Sequence, residues 1–147
     1  MILIILSMIA AFYVTLPLPL VDAETPADKA LPDDFPGIEA KWGVKVVGLK
    51  LSGGGFMVDF RYRVTDVEKA RQLFDRKVKP YLIDQTTGTK LLVPNAPKLG
   101  ALRQMPKNPV ANKNYFVLFA NPGQIVKAGN KVTVVIGDFR AENLVVE

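Results

Sequence analysis

Cysteine and histidine are both absent from the 147 residues. No disulfide can staple the fold, and no thiolate or imidazole is available for zinc or copper. Nucleophilic triads and dyads built on histidine are excluded with them. So is an anchor made by lipidating a cysteine. Serine is scarce, with Ser7 and Ser52 alone in the chain. Ser52 lies two residues after Lys50, so a Ser–Lys nucleophile can be drawn. A polar residue ending a strand before the Gly53-Gly54-Gly55 turn is the plainer reading.

Other cofactor chemistry is equally thin. The triple glycine lacks the following Gly-Lys-Ser/Thr of a phosphate loop. Met1 and Met8 belong to the apolar start of the chain, which leaves Met57 and Met105 as two isolated thioethers and no copper site. Asp59, Asp66, Asp84 and Asp138 are scattered, without calcium-loop spacing or a sequence cue for a catalytic carboxylate pair. The expectation is a non-enzyme that uses no cofactor and no metal.

Charge is missing from residues 1–21, which are almost wholly apolar. Such a stretch is long enough to span a bilayer as a helix. Pro17 and Pro19, followed by Val21-Asp22-Ala23, also fit the end of a signal peptide cleaved after Ala23. Residues 1–23 are therefore read as a signal peptide or a signal-anchor transmembrane helix. Residues 24–41 follow as a linker, with Pro26, Pro32 and Pro36 as helix breakers and an acidic balance that keeps the stretch hydrated. Phe35 and Ile38 are its candidates for docking onto what comes next. This order places the remainder outside the cytoplasm, in the periplasm or its equivalent, either membrane-anchored or secreted.

Residues 42–147 change to a β pattern. Val44–Leu51 reads as a strand whose apolar phase shifts near Val46-Val47, the mark of a bulge. From Phe56 to Thr65 apolar and polar residues alternate, with Phe56, Val58, Phe60, Tyr62 and Val64 on one face. Thr65 to Glu68 fits a capping box opening a short helix to about Asp75. Further strands are expected at Val78–Ile83, Lys90–Val93, Tyr115–Ala120, Lys131–Ile136 and Leu144–Val146. Tyr115–Ala120 is apolar throughout, as a strand buried on both faces would be. Residues 94–114 read as a long irregular loop. About seven short strands with turn signals between them predict an all-β, antiparallel sandwich with one short helix. In that pattern the domain resembles the broad immunoglobulin-like or fibronectin-type sandwich, without the cysteine and tryptophan marks of antibody domains. A small β-barrel is the alternative architecture.

Positive charge concentrates in this domain. Residues 40–147 hold eighteen basic against eight acidic residues, a net of +10, and residues 69–113 alone reach +8. Such a balance favours an acidic partner or an anionic membrane surface; export argues against nucleic acid. Arg61 and Arg63, two apart on one strand face, can grip a carboxylate or phosphate or form cross-strand ion pairs. Lys98, Arg103, Lys107 and Lys113 make the long loop basic, suited to anionic lipid or an acidic subunit. These six are the candidate partner-binding residues. The functional expectation is a non-catalytic, membrane-tethered accessory or assembly protein that binds another envelope protein. The alternative is a free secreted sandwich binding an anionic polysaccharide or lipid.

Overall fold

The computed structural model describes Phe35 and residues 37–147. The leader over residues 1–23 and the linker up to residue 34 lie outside the described residues. Ordered structure begins earlier than residue 42. Helix α1 (Ile38–Trp42) occupies the end of the expected linker, and Phe35 and Ile38 both pack against the core.

The fold is antiparallel and mostly β. Strand β1 (Val44–Ser52) pairs with β2 (Met57–Val64) through a Gly53–Gly55 turn in which all three glycines take positive φ. The register slips between Val46 and Gly48, so the phase shift in the sequence is a true bulge. Helix α2 (Val67–Ala70) and a 3₁₀ turn (Arg71–Phe74) then carry the chain across to the second sheet. That sheet holds β3 (Tyr81–Asp84) and β4 (Lys90–Leu92). A small hairpin of β5 (Asn95–Ala96) and β6 (Gly100–Ala101) leads back. Then come β7 (Asn114–Ala120), β8 (Lys131–Ile136) and β9 (Phe139–Val145). One sheet has the order β1-β2-β7 and the other β4-β3-β8-β9, with β5-β6 as a separate pair.

The two larger sheets share one core, in a sandwich-like arrangement. Val58, Phe60, Tyr62 and Val64 alternate inward from β2, with Tyr115, Val117 and Phe119 from β7; Leu82, Val132, Val134, Ile136, Phe139 and Leu144 face them from the other sheet. Each large apolar side chain removed from water in this way contributes about 1.5–3 kcal/mol. Trp42 closes one end edge-on against Phe139, with ring centroids 5.8 Å apart. Buried Asn121 ties the other end: its Nδ2 donates to the carbonyls of Gly55 and Val126, and its Oδ1 accepts from Val126 N.

Several expectations are corrected. Phe56 is not an inward strand residue; it sits in the turn, 57% exposed. The helix cap is Asp66 rather than Thr65, because Asp66 Oδ1 accepts from the amides of Glu68 and Lys69. The third strand starts at Tyr81, three residues later than expected, after Pro80, which has no amide to donate. Strand β7 is buried on one face only, with Phe116 and Leu118 half-covered outside. Strand β9 is longer than Leu144–Val146. Asn143 adopts φ 59° and shifts the inward phase from Phe139 and Ala141 to Leu144, which breaks the alternation that would reveal the strand.

The long loop is built rather than irregular. Beyond the β5–β6 hairpin, Leu102 to Gln104 runs along the free side of β7: Gln104 N donates to Phe116 O and Leu118 N to Leu102 O. On the opposite flank, Leu51 N donates to Glu147 O and Glu147 N to Leu49 O, which joins the end of the second sheet to β1. Both flanks of the sandwich are thereby bridged.

Gly43 tests how α1 meets α2. It has φ +61°, its carbonyl accepts from the amides of Thr65 and Asp66, and an added Cβ would lie 2.5 Å from Asp66 O. Gly43→Ala carries about 1–2 kcal/mol from the left-handed backbone alone, with the steric clash added. The expected result is a lower urea midpoint at unchanged slope, followed by the fluorescence of Trp42, the single tryptophan.

Candidate interaction surface

The six sequence candidates do not form one site. Alternation along β2 points Arg61 and Arg63 outward, but each already has a partner. Arg61 Nε and Nη2 both donate to Asp59 Oδ2, at 3.0 and 2.9 Å. That hydrogen bond, with the carboxylate's charge, raises the Arg61 guanidinium above its ordinary pKa. Arg63 Nε donates to Asn114 Oδ1 at 2.9 Å, the residue opposite it on β7. The two guanidinium groups are thus turned to different neighbours instead of converging on one ligand. The Arg61–Asp59 pair is only half exposed: the Arg61 side chain is 58% open to solvent, whereas that of Asp59 is 15% exposed and its Oδ1 is buried without a hydrogen-bond partner.

Arg103 lies inside, 8% exposed. Its Nη2 donates to the carbonyls of Asp75 and Val78, both at 2.8 Å, and its Nη1 is buried without a partner. Burial lowers the guanidinium pKa, opposed by Tyr62 and Asp75. Burial also holds the Tyr62 phenol well above its ordinary value, with the charge of Arg103 pulling the other way. Arg103 therefore joins the Leu102–Gln104 segment to the turn after α2, and is not presented at the surface.

Lys98 stands at the tip of the β5–β6 hairpin, beside Leu99 at 80% exposure. Lys107 and Lys113 belong elsewhere, at the end of the sandwich where β1 begins and β2 finishes. Lys107 lines a groove of about 650 Å³ with Arg71, Phe74, Arg76 and Met105. Arg71 is paired with Glu68; Arg76 and Lys107 make no ion pair among the described residues. Arg71 and Arg76 are the members of this basic end that motif reading passes over. The sequence signal was the net charge of residues 69–113, which does not say which cations share a face.

The second free surface is the outer face of the four-stranded sheet. Tyr81, Ile83, Leu92 and Val135 alternate away from the core there. Leu92 is 62% exposed, and Val135 is buried by its neighbours although it stands outside the core cluster. Lys90 Nζ sits 5.0 Å above the Tyr81 ring, a cation–π contact at the rim of this patch. Among the described residues, no three acidic side chains converge as a metal site. Asp66, Asp75 and Asp84 are turned onto backbone amides of their own turns.

The buried and exposed cations separate by stability. Arg103→Met strands two carbonyls and is expected to cost about 2–4 kcal/mol. Lys107→Ala and Lys113→Ala are expected to stay within about 0.5 kcal/mol. Chemical denaturation of the three variants checks the difference, and equal effects would contradict the assignment. Tyr62 adds a pH signature. The unfolded phenol ionises near its ordinary 10.0, whereas the native one holds its proton to higher pH. Stability from this group is therefore intact below that value and falls as pH rises above it. A Tyr62→Phe variant should show a flatter loss in alkaline urea titrations.

In comparison with known proteins, the chain matches no protein-family model, no curated protein and no solved structure.

Proposed function

We propose that the chain is a non-catalytic, membrane-tethered accessory protein of the cell envelope, whose immunoglobulin-like domain stands outside the cytoplasm and holds another envelope protein. Strand order supports the immunoglobulin-like reading. With the β5–β6 hairpin set aside, the seven main strands run 1-2-5 in one sheet and 4-3-6-7 in the other. In immunoglobulin lettering these are A-B-E and C′-C-F-G, the strands that share a sheet in that architecture.

The uncharged residues 1–21 support the tether. Among the described residues, no helix is long and apolar enough to cross a membrane. The tether therefore rests on the leader alone. The single observation that carries partner binding is the outer face of the four-stranded sheet, where Leu92 is exposed beside Tyr81, Ile83 and Val135. An apolar centre with a cationic rim at Lys90 and Lys131 suits a protein surface with an apolar patch and acidic surroundings.

A photo-crosslinker in place of Leu92, in the full chain in native membranes, should trap one envelope protein. Leu92→Glu should weaken its co-purification by roughly tenfold or more, the range of a central apolar contact, with the unfolding midpoint unchanged. Recovery of the chain from membranes alone, or a partner retained equally by the variant, would sink the proposal.

A further inference from the structure

The basic end of the sandwich carries one feature that a protein partner on the sheet face leaves unused. Residues 105–113 form a loop that carries Val110, 55% exposed, between exposed Lys107 and Lys113. The exposure is not that of a frayed loop. Val110 N donates to the buried Tyr115 hydroxyl at 2.8 Å, Asn112 N donates to Val64 O at 2.7 Å, and Val64 N donates back to Lys113 O at 3.1 Å. The loop is therefore pinned to β2 and β7 while the valine side chain stays exposed.

The cations around it are free to act. Arg76 stands across the groove from Lys107, and Lys77 and Lys79 are exposed in the same connection; none makes an ion pair among the described residues. The chain also enters the domain at this end. Lys69, which lines the groove, donates from Nζ to Ala40 O in α1 at 2.9 Å, and α1 is where residues 1–37 join. The uncharged residues 1–21 precede this end in sequence, separated from it by the acidic stretch 22–39, and Lys107 and Lys113 flank the exposed Val110 in the same loop.

We propose that this end of the domain rests on an anionic phospholipid surface, with Val110 inserted among the headgroups and Lys107, Lys113 and Arg76 against the phosphates. A soluble polyanion or an acidic peptide would match the charges and leave the valine in water. A lipid layer supplies anionic groups and an apolar interior within the reach of one loop. The proposal gains from the tether, which keeps the domain at high local concentration beside the bilayer, but it makes a separate claim about which end faces the lipid.

The chain has no cysteine, so a single one can be labelled in the full-length protein. Val110→Cys and, at the opposite end, Ala128→Cys are each labelled with an environment-sensitive dye. Each is then placed in vesicles of phosphatidylcholine alone or with phosphatidylglycerol, carrying spin-labelled lipid as quencher. The expected result is quenching at position 110 with phosphatidylglycerol only, reversed by high salt, and none at position 128. Lys107→Glu with Lys113→Glu should abolish it.

Equal quenching at position 110 in both lipids, or none in either while the chain floats with the vesicles, overturns the docking and leaves the tether standing. Flotation with phosphatidylglycerol vesicles alone, salt-sensitive and with position 110 quenched, supports the docking and removes the tether. A chain that floats with neither vesicle overturns both.

Discussion

The buried guanidinium of Arg103 donates to the carbonyls of Asp75 and Val78, and the shape of the basic end depends on those two bonds. A cation removed from water is costly unless its donors find acceptors. Here the acceptors are main-chain carbonyls of the connection that crosses from one sheet to the other. The residue making the bonds belongs to the segment that returns from β4 to β7. One side chain therefore fixes both crossings relative to each other. The groove between Arg76 and Lys107 is a consequence, since its two walls are the two segments that Arg103 ties together.

The same economy governs the flanks. A three-stranded and a four-stranded sheet leave open edges that invite pairing with other chains. Leu102–Gln104 covers one side of β7, and Glu147 bonds to both Leu49 and Leu51 on the other flank. The left-handed Asn143 kinks β9, and β4 has only three residues. What stays open to solvent is thereby side-chain surface more than strand edge. Two such surfaces are the apolar outer face around Leu92 and the cationic end around Val110, which point in different directions.

Much of the architecture was legible from local pattern. The β2 alternation from Val58 to Val64, the bulge after Val46 and the glycine turn depend on neighbours within a few residues, and the structure has them where the pattern places them. Other features were hidden because they need long-range partners. Strand β9 was read only at its end, Leu144–Val146, because one left-handed residue, Asn143, breaks its period. Residues 94–114, with four prolines, looked irregular because their internal hairpin is only two residues a side and the rest of the segment is held by partners on β2 and β7. The candidate cations divide the same way. Lys107 and Lys113 are exposed as expected, whereas the partners of Arg61, Arg63 and Arg103 could not be named from the chain alone.

Composition by itself determined that no disulfide and no cysteine or histidine ligand exists, that the domain is basic, and that its core must come from alternating strands. These follow from residue identity and period, which are properties of the linear chain. Only the tertiary structure decided that Arg103 is an internal tie, that Arg61 and Arg63 are turned onto Asp59 and Asn114, and that Arg71, Arg76 and Lys107 share one groove. The reason is that a charged side chain carries the same formula whether it meets water, a carboxylate or a buried carbonyl. Which of these it meets depends on residues that are tens of positions away in sequence and adjacent only after folding.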